Sequence, residues 1–126
     1  MAIPLVDLHV HLRGTLSYAL ASSFALANSV DISGLEDYDR PLHKWKNFEE
    51  FLRAYDIAGS ALKSVKDLAS LARAYLSVCS AHGVTYVEFM ASPLHYVDNG
   101  HSYRDYLGAL WTHLRRSETI LALKRD

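Results

Sequence analysis

Apolar positions along the chain fall into two short runs and several stretches of helical spacing. The run from Leu5 to His11 follows Pro4, is almost continuously apolar, and predicts a buried β-strand. A second run, from Val84 to Met90, is rich in β-branched and aromatic residues and predicts another strand. Neither run alternates strictly between apolar and polar residues, which is typical of parallel strands covered on both faces.

Between and after these runs, apolar residues recur at helical spacing and predict four helices. Ser17, Asn47 and Ser102 mark the expected starts of three of them, because their side chains can accept a hydrogen bond from the first helical turn. The segment from Ser64 to Asp67 resembles a capping box with Asp in place of Glu, and it predicts the start of the longest helix.

Glycines mark the expected ends of several elements. Gly83 follows His82 and is expected to supply the left-handed turn that ends the longest helix. Gly59 is expected to weaken or end the helix that begins at Asn47. Gly14 is expected to let the chain turn sharply away from the first strand.

The order of strand, helices, strand and helix predicts an α/β fold with a parallel sheet. Only two strands are visible, and the pattern does not decide whether residues 117–126 continue the last helix. A (β/α)₈ barrel takes roughly 250 residues, so this chain would supply about a quarter of its strands. We therefore expect residues 1–126 to form a single, incomplete barrel segment whose open sheet edges need covering.

Composition narrows the function classes. The formal net charge of −1 gives no broad basic field for nucleic acid. No apolar run approaches the roughly 20 residues that span a membrane, and the first residues lack the pattern of a signal peptide. The single cysteine, Cys79, excludes an intrachain disulfide and fits a reducing compartment, so we expect a cytoplasmic location.

His9 and His11 are the residues that most directly suggest chemistry. Residues two apart on a strand face the same side, so both imidazoles can converge on one zinc ion. They also lie at the carboxyl end of the first strand, where barrel enzymes place their active sites. Two histidines that are merely packed or exposed to solvent are the alternative.

Three segments resemble the adenosine/adenine deaminase family, within the metal-dependent amidohydrolase superfamily. VDLHVHLRGTL at residues 6–16 resembles the opening barrel strand, and HGVTYVEF at residues 82–89, followed by Ser92-Pro93, resembles the second strand. FEEFLRAY at residues 48–55 resembles the lid helix of the family. The resemblance covers roughly residues 3–106 in the family order, and it identifies the chain as the N-terminal portion of a TIM (β/α)₈ barrel.

The resemblance implies zinc-dependent hydrolytic deamination of a purine such as adenosine or adenine. His9 and His11 match the first two zinc ligands of the family. Phe51 and Leu52 match apolar residues that gate the substrate pocket, with a plain helix core as the alternative. Glu88 matches a strand carboxylate of the family, for which a structural hydrogen-bonding role is the better interpretation.

Two positions depart from the family pattern and concern specificity. Arg13 stands where the family usually has an acidic substrate-binding residue, and arginine cannot accept a hydrogen bond. It suits a phosphate or carboxylate instead, which suggests an anionic substrate; the alternative is that Arg13 bonds a neighbouring carboxylate or carbonyl group. Met90 stands where the family usually has arginine.

The remaining catalytic groups of the family come from later strands, and we identify no catalytic residue within this chain. A catalytic zinc site needs three protein ligands. His95 is the only local candidate for a third, and a loop histidine is the better interpretation of it. We therefore expect the chain alone to be inactive. The alternatives are a non-catalytic domain that self-associates or binds a partner through its open sheet edges, and another metal-dependent amidohydrolase.

Overall fold

The computed structural model describes residues 3–35, 37–39, 44–92, 102–115 and 120–124, which contain three strands and four α-helices. In chain order these elements are β1 (Leu5–His11), α1 (Tyr18–Asn28), α2 (Phe48–Ser60), α3 (Val65–Ala81), β2 (Val84–Met90), α4 (Tyr103–Leu114) and β3 (Ile120–Lys124).

The sheet is parallel and has the strand order β1-β2-β3. Both predicted strands are confirmed, with the bounds that the apolar runs indicated. The third strand, Ile120–Lys124, lies in the segment that the sequence pattern left undecided. A run of five mostly apolar residues is compatible with a helix and with a strand. The pairing with β2 therefore decides that this segment is a strand.

The helix starts follow from side-chain caps, as predicted. Ser17 accepts a hydrogen bond from the Leu20 amide at 3.2 Å, and Asn47 accepts one from the Glu50 amide at 2.8 Å. At the start of α3, Ser64 and Asp67 each accept from the backbone amide of the other, which is a complete capping box.

The core lies between α3 and the sheet. One face of α3 is buried against β2 and α4. Its residues recur at helical spacing, which places them on the same side of the helix. The buried residues of this face are Leu68, Leu71, Ala72, Leu76 and Cys79. They pack in one cluster with Val87 and Phe89 of β2 and with Leu110 of α4. This side of the sheet is therefore the well-packed one.

The prediction that β1 is a buried strand is wrong for the described part of the chain. Leu5, Val6 and Leu8 each expose about half of their side-chain surface, at 50%, 54% and 52%, and only Val10 is buried. The reason is topological, because β1 lies at the edge of the sheet and has β2 on one side only. Its apolar sequence suits a strand inside a parallel sheet whose two faces are both covered.

Two of the three glycines discussed above agree with their predicted roles, and one differs. Gly83 has a φ of +75°, which confirms the left-handed end of α3. Gly59 is the penultimate residue of α2, which ends at Ser60, so the prediction that Gly59 weakens or ends this helix agrees to within one residue. After β1 the chain enters a single 3₁₀ turn, Leu12–Thr15, in which Gly14 has no positive φ, so the turn does not depend on glycine there.

Candidate functional site

A cleft of about 770 Å³ opens at the carboxyl end of β1. Strand β1, the turn that follows it, and one face of α2 form most of its wall. All five residues that the sequence predicted for zinc or substrate binding lie in this wall, namely His9, His11, Arg13, Phe51 and Leu52. The remaining lining residues are Asp7, Val10, Gly14, Thr15, Phe48, Tyr55, Tyr75 and Ser92.

His9 and His11 lie side by side, with ring centres 5.1 Å apart and ring planes inclined by 55°. A Zn–N bond of about 2.0–2.1 Å places a ring centre roughly 3 Å from the ion, so two imidazoles on one tetrahedral ion lie roughly 5 Å apart. Both side chains are exposed to the cleft, and neither makes a hydrogen bond to another described residue. The pair therefore fits two positions of a zinc site.

An irregularity in β1 sets which way its polar residues face. Asp7 pairs with Val87 and Val10 pairs with Phe89, so three residues of β1 cover the distance of two in β2. A regular strand would put Asp7 on the same face as His9 and His11. The extra residue instead aligns Asp7 with the buried, α3-facing residues of β2, while His11 pairs with Met90.

Tyr75 of α3 is a cleft residue that the sequence interpretation missed. Its hydroxyl donates a short hydrogen bond to a carboxylate oxygen of Asp7, and its ring packs edge-on against Phe89. Burial raises the pKa of the Tyr75 hydroxyl well above its usual value, and the interactions with Asp7 and Cys79 raise it further. A tyrosine within an otherwise apolar helix stripe was the available signal, because its hydroxyl requires a partner.

The aromatic residues of α2 face the cleft and are not a plain helix core. The buried face of α2 consists of the small residues Ala54, Ala58 and Gly59. Phe48 is 70% exposed, and its ring stacks on that of Phe51 with centres 6.1 Å apart. Because α2 buries its small residues and leaves its large apolar ones at the cleft, it forms an apolar wall opposite the histidines.

Arg13 is the buried charged residue of this wall, with 6% of its surface exposed. Its guanidinium lies 5.5 Å from the ring centre of Tyr55 and crosses α2 at Gly59, where an added Cβ would lie 1.9 Å from Nη2. Among the described residues it makes no hydrogen bond or ion pair, so the predicted bond to a neighbouring carboxylate or carbonyl is not found there. A cation–π contact is worth up to about 2 kcal/mol, against several kcal/mol for burying a charge.

Glu88 lies outside the cleft wall and hydrogen-bonds within its own strand. Its Oε1 accepts from the hydroxyl of Tyr86 at 2.9 Å. The two residues are two apart in β2, so they share a face of the sheet. This contact agrees with the structural role that the sequence interpretation preferred.

Within the described residues, no group of three His, Cys, Asp or Glu side chains is close enough to hold a metal ion. His43, His95 and His101 lie outside the described residues. His82 ends α3, where its Nδ1 bonds the Val78 carbonyl at 2.8 Å, in keeping with the helix-end position predicted for it. In the same part of the chain, no helix is long and apolar enough to cross a membrane.

Comparison with known proteins places these features in a family. Residues 4–124 match the adenosine deaminase family. The chain is similar to an adenine deaminase of Chelativorans sp. (strain BNC1), with 36% identity over 82% of this chain and 31% of that protein. It is 30% identical to an adenine deaminase of Streptomyces coelicolor over 93% of this chain and 35% of that protein.

The solved structures give a consistent result. The crystal structure of an adenine deaminase from Arthrobacter aurescens matches with a TM-score of 0.75 and 25% identity, over 98% of this chain and 39% of that one. The chain thus spans about a third of the length of the curated relatives it matches, and it corresponds to their N-terminal part. The fold is accordingly that of a partial TIM barrel. With a family match along nearly its whole length, the chain belongs to the adenosine deaminase family.

Proposed function

We propose that this chain provides two zinc ligands and the substrate-facing wall of an enzyme that hydrolytically deaminates a purine, adenine or adenosine-like. The observation that carries the proposal is the pair of imidazoles, 5.1 Å apart, in a cleft of about 770 Å³ walled by aromatic side chains. The family is metal-dependent, and the relatives named above are adenine deaminases. These matches favour a purine deaminase over other metal-dependent amidohydrolases.

The described residues have distinct parts in this proposal. His9 and His11 hold the metal, which when bound supplies the Lewis-acid activation of water that hydrolytic deamination needs. Phe51 and Leu52 provide an apolar surface against the purine and keep bulk water from that side of the cleft. The further ligands and the proton-transferring groups lie outside the described residues, in a full-length enzyme to which this chain contributes.

Metal content and activity test the proposal together. We expect the full-length protein to contain zinc and to release ammonia from adenine or adenosine, and His9→Ala or His11→Ala to lose the zinc and at least about 100-fold in kcat/KM. Elemental analysis and a coupled ammonia assay measure the two effects. His113→Gln, on α4 away from the cleft, is the matched control and should change neither.

Two results would contradict the proposal. One is zinc that stays bound stoichiometrically after both histidines are replaced. The other is a zinc-loaded enzyme that deaminates no purine. Residues 1–126 alone are expected to be inactive, since their described part offers two ligands where a catalytic zinc site needs three.

The exposed edge of β1 favours a second candidate, a non-catalytic domain that self-associates. Leu5, Val6 and Leu8 lie half exposed on a strand with an unpaired edge among the described residues. Such an edge is a template for pairing with another strand. A cytoplasmic location and the absence of nucleic-acid partners stay predictions from composition and charge.

A further inference from the structure

The guanidinium of Arg13 is a buried cation that meets no anion in the described part of the chain. A charge taken out of water is costly unless an opposite charge or several hydrogen bonds compensate it. The face of Tyr55 supplies one favourable contact, at 5.5 Å. This contact leaves the N–H donors of the guanidinium unused, because a cation–π contact is not a hydrogen bond.

Two residues of α2 hold this cation at the cleft. Tyr55 lies in the cleft wall beneath the guanidinium, and Gly59 lies one helical turn further along. At Gly59 a Cβ would come within 1.9 Å of Nη2 and 2.4 Å of Cζ of Arg13. A larger residue at position 59 would therefore contest the space that the Arg13 side chain occupies.

We propose that Arg13 is an anion-binding residue of the cleft, positioned by Tyr55 and Gly59, and that the purine bound there carries a carboxylate or phosphate group. The inference rests on the proposed function. Arginine binds both groups through paired N–H donors, which an ammonium or an amide cannot reproduce.

Matched ligands separate the anion from the rest of the substrate. We would measure binding of inosine 5′-carboxylate and its neutral 5′-carboxamide, which lack the 6-amino group and are not turned over, to the zinc-loaded, full-length protein by calorimetry, with inosine 5′-monophosphate and inorganic phosphate as further probes. We expect the carboxylate or the monophosphate to bind at least about 10-fold more tightly than the carboxamide. Whichever of the two is preferred identifies the chemistry of the anion.

Variants assign that preference to the guanidinium and to its position. Arg13→Gln should abolish the preference for the anion. Gly59→Ala should do the same with Arg13 still present, because the added methyl group displaces the guanidinium. Arg53→Gln removes an exposed arginine of the same helix that does not line the cleft, and it should leave the preference unchanged.

The outcomes distinguish this inference from the proposed function. If adenine is still deaminated but charged and neutral ligands bind equally, or if the preference survives Arg13→Gln, the anion site is wrong and the deaminase stands. If no purine binds or reacts, both fail. Should Gly59→Ala not fold, as judged by circular dichroism, Arg13→Gln and the ligand pair still decide the question.

Discussion

At the scale of single residues, the contact between Arg13 and Gly59 gives the clearest energetic statement. Alanine is favoured over glycine by roughly 1 kcal/mol in a helix interior and by less in the last turn, so Gly59, the penultimate residue of α2, is a small local loss for this helix. The Cβ that would recover this stability occupies the position of the Arg13 guanidinium. Stability of the helix and placement of the cation are therefore in direct competition at one backbone position.

A double-mutant cycle measures this competition. With Arg13 replaced by alanine, we expect Gly59→Ala to raise the free energy of unfolding by up to about 0.5 kcal/mol, since alanine has the higher helix propensity and position 59 lies in the last turn of α2. With Arg13 present, the same change should give no gain or a loss. Gly108→Ala is the matched control, since Gly108 lies inside α4 with no atom near its missing Cβ, and it should stabilise in both backgrounds. Equal gains from Gly59→Ala in both backgrounds, measured by urea unfolding, would contradict the coupling.

At the scale of secondary-structure elements, the bond from Tyr75 to Asp7 fastens the first strand to the third helix. The extra residue in β1 brings Asp7 to that side, and the tyrosine meets it from α3. The bond anchors β1 at Asp7, which is two residues before His9. We therefore regard Tyr75 as a residue that supports the geometry of β1.

The pH dependence of stability tests this link. Burial, Asp7 and Cys79 raise the pKa of Tyr75 in the folded protein above its usual value of about 10. Its contribution to stability is then complete below about pH 10 and is lost as the pH rises through the folded-state pKa. Tyr75→Phe should lower stability at pH 7 by roughly 1 kcal/mol and flatten the decline above pH 10.

Ultraviolet absorbance at 295 nm follows the ionisation of the Tyr75 hydroxyl directly. We expect the titration of Tyr75→Phe to lack one phenol that ionises at high pH. Tyr18→Phe, which removes a phenol at the surface, is the control. If Asp7→Ala leaves the late-ionising phenol unchanged, the Asp7 contact does not govern this hydroxyl.

The elements themselves were predictable where local chemistry decides them. Ser17, Asn47 and Ser64 cap the helices they were expected to cap, because a cap depends only on residues within one turn. Asp7 and Gly59 were not understood from the sequence. Their roles depend on Tyr75 and Arg13, which are distant along the chain, and on an irregular strand register that no residue pattern reveals. The sequence also did not show that the predicted site residues lie together in one cleft wall, which became visible only in the folded structure.

At the scale of the whole molecule, the sheet has an apolar edge strand. Parallel strands are normally covered on both sides, and β1 has the composition of such a strand without the cover in the described part. The exposed edge of β1 is compatible with both candidate functions. In the deaminase it would pair with further barrel strands, and in the self-associating domain it would contact a second copy of the chain.

Sedimentation of residues 1–126 distinguishes these uses. We expect this chain to associate with increasing concentration and Leu8→Lys to reduce the association, since a charge on an edge strand blocks pairing. Leu26→Lys changes the same residue type at a more exposed position on α1 (85% against 52%), and as the control it should not change the association. A monomer at all concentrations would exclude self-association through β1.

The place where Arg13 crosses α2 also limits which residues position 59 accepts without a rearrangement. With alanine there, the guanidinium of Arg13 would have to leave its present position. The end of an arginine side chain is flexible, so the two positions are coupled through adjustment of Arg13 and not through an absolute exclusion. Substitutions at positions 13 and 59 are therefore expected to depend on one another.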